Sequence, residues 1–515
     1  MTRRVVYRRG FIRSPDVPDA TALCVEGDTV TWLGHEDELD GYLTGADEVV
    51  DLRGRLVTPA FVDAHVHLSQ TGLRLAGLDL SDAPTREAVL DALSARARQD
   101  PAAVILGFGW DETGWPDPRP PTLAELDRAA PQRPVYLARV DVHSALVSSG
   151  LVARAPELTT TPGWDGTGRV ERDAHHLARD LAHALITRSQ REAAIQAALD
   201  AAAAAGLGCV HEMAAPHLNP EDDLVLLTQL SARRATVEVV TYWGEHVSSG
   251  GVARAQQLGC AGAAGDLCVD GALGSHTAAL DKPYDDRPDH TGYLYLDVDE
   301  IAEHVVACTR AGLQAGFHCI GDAAVHAVVD GLRRAEQQVG LESLRARRHR
   351  LEHAEMLAPE LLPTLATYGV VLSGQPAFDA AWGGPSGMYA RRLGADRALL
   401  TNPWAQIVDA GVPLAFGSDS PVTPFDPWGA VRAAVDHHHP DARISVEQAF
   451  AAHTRGGWHA AGRDDGGDLT VGADATFVVW DHASPDLPEL HPDAPSPACV
   501  RTVVRGRTVY DRERA

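Results

Sequence analysis

The chain has 515 residues, 45% of them hydrophobic and 23% charged, a composition of ordinary globular proteins that excludes a disordered or fibrous chain. Its formal net charge of −26 argues against non-specific binding to nucleic acid or anionic membrane. Seven scattered cysteines, an odd number, form no disulfide framework and read as buried thiols. The N-terminus lacks the apolar core of a signal peptide, and no stretch approaches the ~18 apolar residues of a membrane span. A cytoplasmic protein is the expectation.

The first residues, 1–56, read as short strands at Val5–Tyr7, Ala22–Val25, Val30–Leu33 and Val49–Leu52, separated by Gly, Pro and Asp. The far end, 466–515, repeats that texture with strands at Ala475–Trp480, Val500–Val504 and Thr508–Tyr510 after a turn-rich Gly466–Gly472. The two ends are therefore expected to meet in one small β-sandwich.

Between them, in 57–465, apolar runs alternate with helical patterns. Eight runs are candidate strands: Leu56–Val62, Leu207–His211, Val237–Tyr242, Leu267–Val269, Leu313–His318, His349–His353, Val370–Leu372 and Pro413–Gly417. Helical periodicity appears at Arg188–Ala205, Ile301–Arg310, Ala323–Val339 and Pro359–Tyr368. Such alternation predicts an α/β protein built on a closed (β/α)₈ barrel. The long gap between the first two strands, about 75–185, reads as an insertion over the barrel mouth, with strand-like pieces at Val104–Phe108 and Val135–Val140.

His65-Val66-His67 follows the first apolar run, and residues two apart on a strand face the same side. A lone His-x-His is weak evidence in a chain with 24 histidines. It gains weight because His318, His353 and Asp419 each close a later β-type run. Barrel strand ends converge on one face, where barrel active sites are built. Four imidazoles and a carboxylate suit Zn²⁺, Mn²⁺ or Fe²⁺. The His437–His439 run reads instead as a solvated loop.

With these residues in hand, the sequence resembles the amidohydrolase superfamily, in the branch containing N-substituted formamide deformylase. The matching segments are Asp51–His67, Gly107–Glu112, Asp270–Ser275, His318–Ala323, Arg348–His353, Gly417–Pro421 and Gly472–Asp481. The resemblance implies a metal-dependent hydrolase with His65, His67 and His318 on the metal. Asp419 would be a ligand or the general base, and His353 a second ligand or oxyanion partner. Activation of water to hydroxide at neutral pH is the chemistry such a cation supplies.

Family members often carry a lysine, carboxylated to bridge two metals, where this chain has Asp266. An aspartate is several bonds shorter and is expected to fall short of that point. One tightly bound divalent ion, Zn²⁺ by preference, is therefore expected, a second being open. Glu212, closing the second strand, is the candidate replacement bridge.

Substrate-contact candidates are Trp110, Asp111, Arg139, Asp141 and His143 in the insertion, with Trp115 as a structural tryptophan. Asp270, Ser275 and Gln375 follow barrel strands and are further candidates. The expected activity is cleavage of a non-peptide C–N bond in a small molecule. Deamination of a cyclic amidine is the alternative, and an inactive barrel scaffold a third. The expected partner is the small-molecule substrate, without nucleic acid or membrane, and a homodimer is the base-rate expectation.

Overall fold

A computed structural model describes residues 2–99, 103–139, 144–233, 235–491 and 495–514. The chain forms two compact units, Met1–His67 with Leu199–Ala515, and Leu68–Ala198.

The first unit holds an eight-stranded parallel sheet, and its strands are numbered here along the chain. They are β1 (Phe61–Val66), β2 (Leu207–Ala214), β3 (Glu238–Trp243), β4 (Gly262–Ala263), β5 (Gln314–Cys319), β6 (Arg350–His353), β7 (Val371–Gly374) and β8 (Leu414–Phe416). Each pairs in parallel with the next in this order. The sheet curls until Val66 bridges Ser420 just beyond β8, nearly closing a barrel. β1, β2, β6, β7 and β8 are buried at every residue, as strands covered on both faces must be.

Two details differ from the sequence pattern. The run Leu56–Val62 is not one strand: Leu56–Pro59 pairs with Phe477–Trp480, and β1 begins at Phe61. The chain changes partner at Ala60, whose amide goes to Thr476 O, while that of Phe61 goes to Gly206 O. Hydrophobicity is the same on both sides of the exchange, so the pattern carries no trace of it. The fourth strand is also displaced, to Gly262–Ala263. Gly265, at φ +89°, then turns the chain, and Leu267–Val269 rejoins β5 only through bonds to His318.

The two ends of the chain build a sandwich. One sheet runs Thr29–Gly34, Ala22–Glu26, Arg4–Arg8, Glu48–Asp51, and the other Phe11–Ile12, Leu56–Pro59, Phe477–Trp480, Cys499–Val504, Arg507–Asp511. Alternate residues, Val5 and Tyr7, Leu23 and Val25, Phe477 and Val479, meet in one core, with Tyr7 edge-on to Phe477 at 5.0 Å.

The second unit is a five-stranded sheet in the order Arg169–Glu171, Ser144–Val147, Val135–Arg139, Ile105–Trp110, Leu78–Asp79. Tyr136 and Ala138 pack on one face with Leu151, Leu158 and Ala174. Val135 and Leu137 pack on the other with Val89, Leu93 and Leu126. All seven cysteines are free thiols, and only Cys268 is more than buried-level exposed. Among the described residues no helix is long and apolar enough to cross a membrane.

Burial away from the barrel rim fixes a pH response. His304 and His453 are pushed down to about 4, and His349 to about 3, in each case first by burial. Each is neutral in the fold but takes up a proton on unfolding below about pH 6.5. Each therefore contributes stability that is lost on acidification between about pH 6.5 and 4, against the opposite contribution of Asp63, Asp270 and Glu355, which burial raises to about 6, 7 and 7. Urea unfolding at stepped pH should therefore show a slope smaller by up to one proton, or about 1.4 kcal/mol per pH unit, in His453→Gln than in the parent. Identical slopes in the two proteins between pH 6.5 and 4.5 would contradict it.

Candidate metal centre

The site is built from strand β1 outward. Asp63, His65 and His67 alternate onto one side of the strand, and all three are buried. Asp63 Oδ1 accepts from the backbone amides of Ser418 (2.8 Å) and His65 (3.3 Å), stitching β1 to β8. A glycine is required at 417, because a Cβ there would lie 2.6 Å from His65 N and 2.8 Å from Asp63 Oδ1. Asp419 N then donates to His65 O, and His67 N to Ser420 O, which sets Asp419 beside both histidines.

The donor atoms converge. His67 Nε2 lies 3.1 Å from Asp419 Oδ1 and 3.2 Å from Asp266 Oδ2. His65 Nε2 lies 3.4 Å from Asp266 Oδ1 and 3.7 Å from Asp419 Oδ1, and His353 Nε2 is 4.0 Å from Asp266 Oδ1. Ligands held about 2.0–2.2 Å from one ion stand roughly 3–3.5 Å apart, so these spacings suit a shared cation. Two overlapping triads result, His65–His353–Asp419 and His65–His67–Asp266.

Asp266 therefore reaches the site, contrary to the expectation from its length. The reason lies in the backbone. β4 stops at Ala263, and the left-handed turn at Gly265 carries the Asp266 backbone inward, replacing side-chain length by main-chain displacement. The signal in the sequence was the glycine immediately before the aspartate.

The other anticipated residues divide. His318 is close, its ring 4.5 Å from that of His353, but it joins neither triad. Its Nδ1 stands 3.7 Å from Asp270 Oδ1. Glu212 is buried at the end of β2 and likewise belongs to neither triad. Asp270 is fully buried, and its carboxylate accepts from the amides of Ile320, Gly321 and Ala279 at 2.8–2.9 Å. Through these three bonds it fastens the loops around it. Gln375 Oε1 pairs with His353 Nδ1 at 2.8 Å, so it orients that ring. Ser275 Oγ is engaged with Thr277 Oγ1 at 2.7 Å.

In the insertion, Trp110 is fully buried and donates Nε1–H to Leu137 O, and Trp115 donates to Ala83 O. Both are core residues of that unit, since an indole placed inside apolar packing with its N–H satisfied presents no surface to a ligand. Arg139 is paired with Asp111 at 2.7 Å and Glu112 at 2.8 Å. Asp141 and His143 lie outside the described residues. His437 is buried rather than solvated, its Nε2 3.4 Å from Asp379 Oδ1, while His438 Nδ1 pairs with Asp379 Oδ2 at 2.9 Å.

A second layer, absent from the anticipated set, holds the ligands. Glu352 Oε2 accepts from His65 Nδ1 at 2.9 Å, leaving the Nε2 lone pair to face inward. Glu352 is in turn clasped by Arg350, through Nε at 2.7 Å and Nη2 at 3.2 Å. Arg350 also donates to His211 Nδ1 (3.0 Å), Ala64 O (2.7 Å) and Ser373 Oγ (3.1 Å), and lies over the Tyr242 ring. Two charges alternating within a wholly buried strand were the available signal. Backbone strain gathers here too: His353, Ala354 and Asp419 all have positive φ, at 68°, 47° and 54°.

The electrostatics favour a cation. Burial pulls the His65 imidazole down, yet Asp266, Glu352 and Asp419 outweigh it and raise the pKa to about 10. His67 is driven well above its usual value against the same burial, and Asp266 well below its own by the two imidazoles. The carboxylates thus hold protons on the histidines wherever no metal takes that charge. His318, pushed down to about 4 by burial and by His353, stays neutral. His65 Nε2, His353 Nε2 and Asp266 Oδ1 are buried without a hydrogen-bond partner among the described residues. A divalent cation would satisfy His65 Nε2 and Asp266 Oδ1 and balance the two carboxylates, so the residues present fit it.

The Arg350–Glu352 clasp predicts a measurable loss. Arg350→Met leaves the Glu352 carboxylate buried without its counter-ion and should cost about 3–5 kcal/mol by denaturant unfolding. The double variant Arg350→Met, Glu352→Leu should recover much of that stability while still impairing metal retention, because His65 loses its orienting acceptor. Equal stability of the single variant and the parent would refute the clasp.

Comparison with known proteins shows the family. The family model described as amidohydrolase family matches residues 48–510. YtcJ of Bacillus subtilis is 28% identical, the alignment covering 99% of this chain and 100% of that one. The N-substituted formamide deformylase of Arthrobacter pascens is 25% identical, over 96% of this chain and 95% of its own. An uncharacterized metal-dependent hydrolase from Pyrococcus furiosus superposes with a TM-score of 0.78 at 26% identity, covering 94% of this chain and 99% of its own. The chain belongs to the amidohydrolase family and is a hydrolase with a site that fits a divalent metal.

Proposed function

We propose that this protein hydrolyses a C–N bond of a small non-peptide amide, of the formamide type, with one tightly held Zn²⁺. The observation that carries this reading is the convergence of His65, His67, His353, Asp266 and Asp419 donor atoms in one buried spot. Full-length similarity to a formamide deformylase supports the C–N bond over other hydrolysable bonds.

His65, His67, Asp266 and Asp419 would hold the cation, with His353 Nε2 beside them, 4.0 Å from Asp266 Oδ1, and the His318 ring 4.5 Å from that of His353. When bound, such an ion polarises a carbonyl and acidifies a water molecule. Asp419, carried on a strained left-handed backbone at the end of β8, keeps one carboxylate oxygen against His67. It is placed to take a proton from the attacking water and deliver it to the leaving nitrogen. His353, fixed by Gln375, is placed to face the substrate carbonyl oxygen as charge develops on it. Glu352 keeps His65 in one tautomer throughout. The substrate is a small molecule, with neither nucleic acid nor membrane as partner, and the protein is assigned to the cytoplasm.

Elemental analysis of the purified protein should give one zinc per chain, falling severalfold or more in His67→Ala and in Asp266→Asn. Asp419→Asn should lower kcat/KM on N-substituted formamides by 10²-fold or more at neutral pH, in line with lost general acid–base help. Ammonia released from a cyclic amidine, without acyl product from any formamide, would transfer the assignment to deamination. Full metal content in Asp266→Asn would remove that residue from the site.

A further inference from the structure

The metal centre uses imidazole and carboxylate donors, yet a thiol and a further imidazole stand next to it. Cys268 follows Asp266 by two residues and is the one cysteine of seven that is not buried. Its segment runs alongside β5, with His318 N donating to Leu267 O at 3.1 Å and Val269 N to His318 O at 2.9 Å. Leu267 and Val269 are buried, and alternation turns the Cys268 side chain away from theirs.

His217 comes from the loop after β2, where Leu218 N and Asn219 N both donate to Ala215 O, at 3.0 and 3.2 Å. The residue is exposed, and its Nε2 lies 3.9 Å from Cys268 Sγ. That is long for a sulfur hydrogen bond. Cys268 Sγ also lies 3.5 Å from the carbonyl oxygen of Asp266. A thiol sulfur, an imidazole nitrogen and a carbonyl oxygen thus gather on the loops that follow β2 and β4.

The spacing suits a shared ion. A Zn²⁺ about 2.3 Å from a thiolate sulfur and about 2.0 Å from an imidazole nitrogen sees atoms 3.9 Å apart at roughly 125°. That is within reach of the tetrahedral arrangement Zn²⁺ adopts, and water has access to the remaining positions because His217 is exposed. The charge nearby points the same way. Burial, Asp266 and Asp270 together hold the Cys268 thiol well above its ordinary pKa. Burial lowers that of His217, against the opposite pull of Asp266. The imidazole is therefore neutral, with a lone pair to offer, and a negative field that resists a thiolate draws in a cation.

We infer that Cys268 Sγ, His217 Nε2 and the Asp266 carbonyl oxygen form a peripheral site for a soft divalent cation such as Zn²⁺ or Cd²⁺, beside the centre built by His65, His67 and Asp419. Sulfur and imidazole donors select such ions over Mg²⁺ and Ca²⁺. Binding forms a sulfur–metal bond and releases the thiol proton to solvent. With one of its three protein donors a neutral carbonyl, this site holds its ion more loosely than the main centre does. Asp266 joins the two, its carboxylate facing His67 and its carbonyl facing Cys268. The inference does not depend on which bond the enzyme cleaves.

The test is a titration of the zinc-loaded full chain with Cd²⁺, following the ultraviolet thiolate-to-cadmium charge-transfer band together with zinc content. The band should saturate at one Cd²⁺ per chain with the zinc retained, and Mg²⁺ in large excess should leave it in place. Cys268→Ser should abolish the band, and His217→Ala should weaken Cd²⁺ binding about tenfold or more, both with Tm and zinc content retained. Absence of the band in the wild type, or cadmium that enters only by expelling zinc, would overturn the site. So would a band that survives Cys268→Ser, since the other six cysteines are buried, or an unchanged affinity in His217→Ala. Zinc content and formamide hydrolysis report on the main centre alone, so the two readings fail separately.

Discussion

Two carboxylates, Asp266 and Asp419, are buried at 7% exposure each within reach of the same imidazoles, and that concentration of negative charge governs the rest of the site. A carboxylate removed from water must be neutralised by a proton, a cationic partner or a metal. Here the nearest bases are His65 and His67, both pushed above their ordinary pKa values against strong burial. A site that must otherwise be protonated to exist is one that a divalent cation stabilises, and metal binding becomes coupled to proton release.

The remaining buried charge is arranged so that it does not compete. Glu352 could pull the cation or a proton out of place, yet Arg350 clasps it, and the pair forms a neutral unit behind His65. That unit reaches from the β1 backbone at Ala64 to β2 at His211 and β7 at Ser373. It therefore serves two purposes, fixing an imidazole tautomer and tying four strands of the barrel together below the rim. Asp63 adds to this, its carboxylate joining β1 to the turn after β8 beside the two backbone bonds, Asp419 N to His65 O and His67 N to Ser420 O, that nearly close the sheet.

The barrel's parallel alternation was legible because buried strands and amphipathic helices have different periods, and the ligand types were legible because each closed an apolar run. Where the structure departs from what the sequence suggested, tertiary context is the reason. Asp266 was judged by the length of its side chain, whereas its reach was decided by a main-chain turn at Gly265. Trp110 was judged by its Gly- and Pro-rich surroundings, whereas its indole is inside the packing of a separate sheet. Asp270 and Gln375 stood after strands, as functional residues do, but the backbone amides around the one and His353 beside the other had already claimed their polar atoms.

By itself the sequence determined the class of fold, the family, and which residue types stand at the strand ends, and it led to the expectation that the two ends meet. The fold class and the strand-end residues follow from local periodicity and residue chemistry, and the family from the resemblance of its motif segments, all of which are written along the chain. Only the tertiary structure decided which of those residues share a point in space, which carboxylates are spoken for, and that Cys268 and His217 meet at all. Such matters depend on where the backbone turns and on which groups from distant segments arrive together, and neither period nor composition encodes a distance across a barrel.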